Sequence, residues 1–271
     1  MKLLAFDLDG TALNEDKKLT ERAKSALACA YGKGILLVPS TGRNRSFIPK
    51  DVLTVKKIRY TITSNGAVVY DEQDQKEIYK SCLSQSSIRT ALSILPIMDI
   101  HIEFYIGGKA FITQRDQEMA KERFQIPEQH QYFLAKPYLV KPDMESILAA
   151  EPDIEKINLP YLQADQRCRL WRALEKAGLY DVTASTPRNL EINKKGTSKG
   201  AALRALAEYL PIPMQEVMAI GDNSNDIEML HTAGLSVAMG NATQEAMKAA
   251  EYQTDSCDDD GFAKAVERFL L

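Results

Sequence analysis

The sequence has few of the features that a disulfide-bonded or membrane-spanning protein needs. Its 271 residues include four cysteines, widely spaced and without a Cys-x-x-Cys pair, which argues against a zinc site or a disulfide framework and favours reduced thiols. No apolar run approaches the roughly 20 residues of a membrane helix. Asp7 and Asp9 interrupt the apolar stretch near the N-terminus, which argues against a signal peptide. We therefore expect a cytoplasmic protein that has no membrane partner.

The chain also lacks an excess of positive charge. Lysine and arginine together number 34, against 37 aspartates and glutamates, so the net charge is −3. This balance offers no basic surface for nucleic acid, and we expect no nucleic-acid partner. A phosphate group would have to be held by local side chains and backbone groups, because the net charge does not attract anions.

What the sequence does contain is a pair of acids directly after a short apolar segment. Residues 3–6 are apolar, as in a buried strand, and Asp7 and Asp9 follow two positions apart. Residues i and i+2 of a strand point to the same face, and Gly10 lets the backbone turn. Neighbouring carboxylates repel each other unless a cation or a proton lies between them. The pair therefore indicates a divalent metal site with an acid–base partner, with an ordinary strand-end turn as the alternative.

Strand and helix patterns alternate at both ends of the chain. Short apolar segments at residues 35–38, 60–63 and 217–220 are typical of buried strands. The stretches 19–31 and 197–210 have the periodicity of helices with N-terminal caps. Repeated alternation of this kind predicts an α/β fold with a parallel sheet and right-handed crossovers.

The middle of the chain has a different pattern. Gly107 and Gly108 separate two apolar segments, which is a hairpin signature and predicts antiparallel pairing. The α/β pattern resumes towards the C-terminus. We therefore predict a core domain built from residues 1–81 and 188–271, with a smaller α+β domain inserted at residues 82–187.

Further polar clusters occur where strands end or helices begin, the edge at which open parallel sheets bind ligands. Thr41 and Gly42 follow a strand and can hold phosphate oxygens through a hydroxyl and a backbone N–H, although an ordinary turn is the simpler interpretation. Lys199 begins a helix, where a cation opposes the helix dipole and hints at an anionic partner; a solvated lysine is the alternative. Residues 221–226 supply two acids of the kind that Mg²⁺ prefers.

The order of these clusters resembles the motifs of the haloacid dehalogenase superfamily. The four motifs correspond to Asp7-Leu8-Asp9-Gly10-Thr11, Thr41-Gly42-Arg43, Lys199, and Gly221-Asp222 with Asn225-Asp226. An insert between the second and third motifs is similar to the C2B cap of the Cof-type branch. The resemblance spans nearly the whole chain, but the cap matches only in layout. It implies a Rossmann-like parallel-sheet core with an inserted cap domain.

The resemblance also implies an activity and a set of residue roles. The activity is Mg²⁺-dependent hydrolysis of small phosphorylated metabolites, such as sugar phosphates, through an aspartyl-phosphate on Asp7. Asp9 would protonate the leaving oxygen and later deprotonate water. The other implied roles are phosphate binding by Leu8, Thr41, Gly42, Lys199 and Asn225, Mg²⁺ binding by Asp7, Asp222 and the main-chain carbonyl of Asp9, orientation of these groups by Asn223 and Asp226, and substrate contacts by Arg43 and Asn65.

Two other functions remain open from the sequence. A phosphomutase or phosphotransferase would share the nucleophile and use a sugar hydroxyl in place of water, so only product analysis distinguishes it. A receiver-like signalling module would also carry phosphate on an aspartate beside a lysine and Mg²⁺. The second acid, Asp9, and the large insert argue against a receiver, as does a length about twice that of one flavodoxin-like domain. The sequence indicates neither the substrate nor the oligomeric state.

Overall fold

The computed structural model describes residues 1–55, 58–122, 137–150 and 152–271. The chain divides into two compact units, which are described separately. The first comprises Met1–Gly42, Ile48–Lys80 and Ser198–Leu271, and the second comprises Arg43–Phe47 and Ser81–Thr197. Within the described ranges, no helix has the length and apolar character that crossing a membrane requires.

The described strands and helices include those predicted above, with ends that differ by one or two residues. The strands are β1 (Leu3–Phe6), β2 (Leu36–Pro39), β3 (Tyr60–Thr63), β4 (Val68–Asp71), β5 (Lys76–Lys80), β6 (Glu103–Ile106), β7 (Lys109–Thr113), β8 (Leu139–Lys141), β9 (Ile154–Leu159), β10 (Tyr180–Thr183), β11 (Leu190–Lys194), β12 (Val217–Gly221), β13 (Leu235–Ala238) and β14 (Tyr252–Gln253). The helices are α1 (Glu21–Gly32), α2 (Lys50–Thr54), α3 (Gln85–Ile94), α4 (Gln114–Glu122), α5 (Met144–Leu148), α6 (Ala164–Ala177), α7 (Lys199–Tyr209), α8 (Ile227–Thr232), α9 (Gln244–Ala249) and α10 (Gly261–Leu270).

A parallel sheet in the order β14-β13-β12-β1-β2 forms the centre of the first unit. Leu4 and Phe6 of β1 pack in a hydrophobic core with α1 and α10. Leu3 and Ala5 point to the opposite face and pack with α7 and α8. Burial on both faces explains why β1 is a continuous apolar run. The predicted α/β class with a Rossmann-like sheet is confirmed.

The segment 60–63 is a strand, but it does not extend the parallel sheet. It belongs to a separate antiparallel sheet in the order β3-β4-β5. Its link to β2 is a bridge between Ser40 and Ile62. Strand β5 escaped prediction because none of its residues is buried, and its sequence therefore lacks an apolar pattern.

The second unit contains a sheet in the order β10-β11-β9-β6-β7-β8, whose described pairs are antiparallel apart from the parallel pair β7–β8. Phe104, Ile157 and Ile192 align across three strands on one face, in a core with residues of α3 and α6. Neighbouring positions, such as the paired Glu103 and Asn158, carry polar side chains on the opposite face. The predicted α+β insert with antiparallel pairing is present.

The boundaries of the second unit differ from the predicted range 82–187. Strand β11 pairs with β9 and with β10, so the unit continues to Thr197. Arg43–Phe47 also belongs to it, and the backbone N–H of Ser46 donates to the carbonyl oxygen of Gly108 at 2.8 Å. Local sequence patterns show that a strand exists, but they do not show which strand it pairs with.

Candidate active site

Two of the predicted aspartates follow neighbouring strands of the parallel sheet. Asp7 follows β1 and Asp222 follows β12, and the backbone N–H of Asp7 donates to the carbonyl oxygen of Ile220 at 3.0 Å. Single carboxylate oxygens of Asp7, Asp222 and Asp226 all lie within 4.8 Å of one another, and the three residues are buried. The carboxyl end of the sheet therefore carries a compact group of oxygens that could hold a metal ion.

A buried lysine joins two of these acids. Nζ of Lys199 lies 2.6 Å from Oδ1 of Asp7 and 2.6 Å from Oδ1 of Asp226. The side chain of Ser198 caps helix α7 by accepting from the N–H of Ala201. The helix therefore begins at Lys199, which lies in its first turn. The structure thus brings together three residues that the sequence places in separate motifs.

The three carboxylates outnumber the lysine between them, and the pKa values of Asp7 and Asp222 are raised. Burial raises the pKa of Asp7 to about 7, although the charge of Lys199 opposes the shift. Burial, followed by the charges of Asp7 and Asp226, raises the pKa of Asp222 well above its usual range. Burial alone would lower the pKa of Lys199, but the charges of Asp226 and Asp7 raise it. A divalent cation would offset the excess negative charge.

Asp226 receives hydrogen bonds from the protein on both carboxylate oxygens. Oδ1 accepts from Lys199, and Oδ2 accepts from the backbone N–H groups of Asp222 and Asn223 at 3.0 Å each. These contacts hold both Lys199 and the backbone of Asp222, which suits the predicted orienting role of Asp226, whereas that of Asn223 stays a prediction. The metal-ligand roles of Asp7 and Asp222 stay predictions.

The other member of the first acid pair, Asp9, is more accessible than Asp7. Its side chain is 35% exposed, and its Oδ1 lies 3.3 Å from Nζ of Lys17. Exposure allows a carboxyl group to exchange protons with water, as an acid–base role requires. The side chain of Leu8, between the two acids, is fully buried in the core, so only its backbone is available for the predicted phosphate contact.

Thr41, Gly42, Asn65 and Asn225 also come together. The backbone N–H of Asn65 donates to the carbonyl oxygen of Thr41 at 3.1 Å, and Nδ2 of Asn225 donates to Oδ1 of Asn65 at 3.1 Å. A Cβ atom at Gly42 would lie only 2.7 Å from Oδ1 of Asn65. Because glycine has no Cβ atom, Asn65 can lie this close to Gly42 while it contacts Thr41 and Asn225.

A strained turn presents Asn65. Ser64, Asn65 and Gly66 have φ angles of 53°, 61° and 93°, a region that residues other than glycine rarely adopt. A Cβ atom at Gly66 would collide with the carbonyl oxygen of Ser198, so the turn packs against the helix end that carries Lys199. Strained backbone of this kind clusters at functional sites.

Arg43 lies in the second unit, unlike the other predicted site residues. It is buried, and its Nη1 donates to the carbonyl oxygen of Phe47 at 2.9 Å. Its contact with substrate stays a prediction.

Two hydrogen bonds between the loops that follow β1, β12 and β13 could not be predicted from the sequence. Oγ1 of Thr11 donates to Oδ1 of Asp222 at 2.6 Å across a separation of 211 residues. Nδ2 of Asn241 donates to the carbonyl oxygen of Gly10 at 2.8 Å across 231 residues. Thr11 belongs to the first motif and Asn241 lies in a Gly-Asn-Ala segment, but neither pattern indicates which residue the side chain contacts.

Comparison with known proteins identifies the family. The family model for haloacid dehalogenase-like hydrolases matches residues 4–266. The chain belongs to this family. The resemblance seen in the sequence motifs is thereby confirmed over almost the whole chain.

Relatives of this haloacid dehalogenase-like hydrolase are named as phosphatases. The 5-amino-6-(5-phospho-D-ribitylamino)uracil phosphatase YcsE of Bacillus subtilis is 29% identical, over 100% of this chain and 96% of its own length. Phosphatase YwpJ of the same organism is 29% identical over 100% of both chains. A haloacid dehalogenase-like hydrolase structure from B. subtilis has a TM-score of 0.85 and 28% identity, with 100% of both chains covered. The chain is accordingly a phosphatase of this family.

Proposed function

We propose that this phosphatase depends on Mg²⁺ and hydrolyses small phosphorylated metabolites, such as sugar phosphates, through an aspartyl-phosphate on Asp7. The observation that carries the proposal is the 2.6 Å contact between Nζ of Lys199 and Oδ1 of Asp7, in a buried group with Asp222 and Asp226. A buried carboxylate with an adjacent cation is suited to attack a phosphoryl group, because the cation offsets the negative charge of the phosphoryl oxygens.

The donor set fits Mg²⁺. This ion binds proteins through one or two carboxylates and completes its coordination with water and substrate phosphate. Asp7 and Asp222 offer carboxylate oxygens, and the main-chain carbonyl of Asp9 is the third proposed ligand. Burial is the main cause of the raised pKa of both carboxylates, and the charges of neighbouring acids add to it. A bound divalent cation would stabilise the ionised form of both groups, which supports the fit. When bound, the ion would reduce the repulsion between the nucleophile and the phosphate.

The reaction consists of two displacements at phosphorus. In the first, the carboxylate of Asp7 forms a bond to phosphorus while the ester oxygen leaves and takes a proton from Asp9. In the second, Asp9 takes a proton from water, the water oxygen bonds to phosphorus, and inorganic phosphate leaves Asp7. Both residues return to their starting protonation states, so the reaction consumes only the phosphate ester and water.

The other predicted residues bind the phosphoryl group or the rest of the substrate. Nδ2 of Asn225 donates one hydrogen to Asn65, which leaves its second hydrogen for a phosphate oxygen. The proposed phosphate donors are the side chains of Thr41, Lys199 and Asn225 and the backbone N–H groups of Leu8 and Gly42. Arg43 and Asn65 are proposed to contact the substrate beyond the phosphate.

The name of one relative supports the substrate class. YcsE is named for a substrate whose phosphate is carried by a ribityl chain. We therefore expect phosphate esters of small sugars or polyols to be better substrates than phosphorylated proteins or nucleic acids.

A screen of phosphorylated metabolites tests the proposal. Release of inorganic phosphate is measured with Mg²⁺ and with a chelator, for the wild-type protein and for Asp7→Asn. We expect at least one sugar or polyol phosphate to be hydrolysed, with a requirement for both Mg²⁺ and Asp7. Equal hydrolysis in the presence of the chelator would contradict the metal requirement. Transfer of the phosphoryl group to a second sugar without free phosphate would identify a phosphomutase or phosphotransferase instead.

A further inference from the structure

Asn241 connects loops that follow separate strands of the parallel sheet. It lies in the loop after β13, and its Nδ2 donates to the carbonyl oxygen of Gly10, in the loop after β1, at 2.8 Å. Its Oδ1 accepts from the backbone N–H of Cys257 at 2.9 Å. Both ends of the amide are therefore engaged, which fixes the orientation of the side chain.

The same turn reaches the loop after β12. The backbone N–H of Thr243 donates to the carbonyl oxygen of Asp222 at 2.8 Å, and Oγ1 of Thr11 donates to Oδ1 of Asp222 at 2.6 Å. With the bond from Asn241 to Gly10, these contacts form a closed ring through the loops after β1, β12 and β13. Two of the three loops contain proposed metal ligands.

The ring has little room to deform. The backbone N–H of Gly240 donates to the carbonyl oxygen of Asp255 at 2.9 Å, and a Cβ atom at Gly240 would lie 2.8 Å from the carbonyl carbon of Asp255. Gly10 has a φ of 81°, and a Cβ atom there would lie 2.6 Å from Oδ2 of Asp222. The turn that carries Asn241 and the peptide that it holds are both closely packed.

We propose that Asn241 is a positioning residue for Mg²⁺ binding, an inference that rests on the proposed function. By holding the carbonyl of Gly10, Asn241 fixes the peptide next to the main-chain carbonyl of Asp9 relative to the carboxylate of Asp222. Ligands held in place before the ion arrives bind it more tightly, because less ordering accompanies binding. Groups that orient metal ligands in this way commonly change metal affinity by about 10- to 100-fold when they are replaced.

Asn241→Asp tests the inference, because it keeps the shape of the side chain and the acceptor for Cys257 but removes the donor to Gly10. The matched control is Asn14→Asp, which adds the same charge in the loop after β1, away from the contact with Gly10. Oδ1 of Asn14 accepts from the backbone N–H of Lys18 at 2.9 Å, and an aspartate would still do so. Mg²⁺ affinity is measured by calorimetry, and folding is measured by thermal unfolding in the presence of a chelator.

We expect Asn241→Asp to weaken Mg²⁺ binding at least about 10-fold without a matching loss of thermal stability, and Asn14→Asp to bind Mg²⁺ at least as tightly as the wild type. An added negative charge by itself strengthens cation binding, so a loss of affinity cannot come from the charge. Equal or tighter binding by Asn241→Asp would overturn the inference. If that variant does not fold, Asn241→Ala serves instead, with the same expected loss. Absence of Mg²⁺ binding to the wild-type protein would overturn the proposed function together with the inference.

Discussion

The ammonium group of Lys199 lies 2.6 Å from a carboxylate oxygen of Asp7, and the two side chains are 0% and 7% exposed. The residues are 192 positions apart in the chain, so the folding of the first unit creates this contact. Burial of a single ion is costly, whereas a buried pair with good geometry is tolerated. The stability of the unit and the reactivity of the proposed nucleophile therefore depend on the same lysine.

Lys199→Met should destabilise the protein strongly. Removal of the ammonium group leaves Asp7 and Asp226 buried without their common cation, which typically costs about 3–5 kcal/mol of unfolding free energy. Urea denaturation measures this loss. The control is Lys264→Met, since the exposed pair of Lys264 with Asp255 should contribute no more than about 1 kcal/mol. Similar losses for the two variants would show that the buried lysine has no special role in stability.

Asp7→Asn should stabilise the metal-free protein, and more so at about pH 8 than at about pH 5. Burial raises the pKa of Asp7 from 3.8 to about 7, so between these values the folded protein binds a proton that the unfolded chain does not. The free energy of unfolding therefore falls as the pH rises through this window, and asparagine avoids that loss. Thermal unfolding with a chelator at both pH values checks the sign. An Asp7→Asn variant that is less stable than the wild type at the higher pH would contradict the raised pKa of Asp7.

Gly66→Ala should lower the free energy of unfolding by more than a positive φ angle alone would explain. The control is Gly34→Ala, because Gly34 also has a positive φ, 81°, but a Cβ atom there would contact nothing within 4 Å. The control should lose about 1 kcal/mol. Gly66→Ala adds the collision with Ser198 and so displaces the helix end that carries Lys199, with a further loss of phosphatase activity. Equal unfolding free energies would mean that the close approach at Gly66 is unimportant.

Asp9→Asn should slow turnover by about 10²- to 10⁴-fold, because asparagine can neither give a proton to the leaving oxygen nor take one from water. Steady-state hydrolysis of an aryl phosphate measures the effect. Asp16→Asn is the matched control, since Asp16 is an exposed acid in the same loop after β1. Wild-type rates for Asp9→Asn would remove Asp9 from the mechanism.

Local patterns were sufficient to predict where several strands and helices begin or end. The apolar run before Asp7 predicted a strand end, and β1 ends at Phe6. The helical pattern at residues 19–31 predicted a helix with an N-terminal cap, and the side chain of Thr20 accepts from the N–H of Ala23 at the start of α1. In both cases the deciding interactions lie within a few residues of the chain.

Contacts between distant segments were not predictable in the same way. Strand β11 pairs with β9 and β10, which no local pattern indicates, and the predicted boundary at residue 187 differs from the end of the second unit for that reason. The hydroxyl of Thr11 could have bonded to any nearby acceptor, and only the fold places it 2.6 Å from Asp222. Such contacts depend on three-dimensional packing that periodicity does not encode.

The central claim is that the carboxylate of Asp7 carries the phosphoryl group during turnover. Acid quenching of the wild-type and Asp9→Asn proteins during reaction with an aryl phosphate and Mg²⁺, followed by mass spectrometry of the peptide that contains Asp7, tests it directly. We expect one phosphoryl group on Asp7 that hydroxylamine removes, with more of it in Asp9→Asn. Steady release of phosphate with no phosphoryl group on Asp7, or with the group on another residue, would contradict the claim.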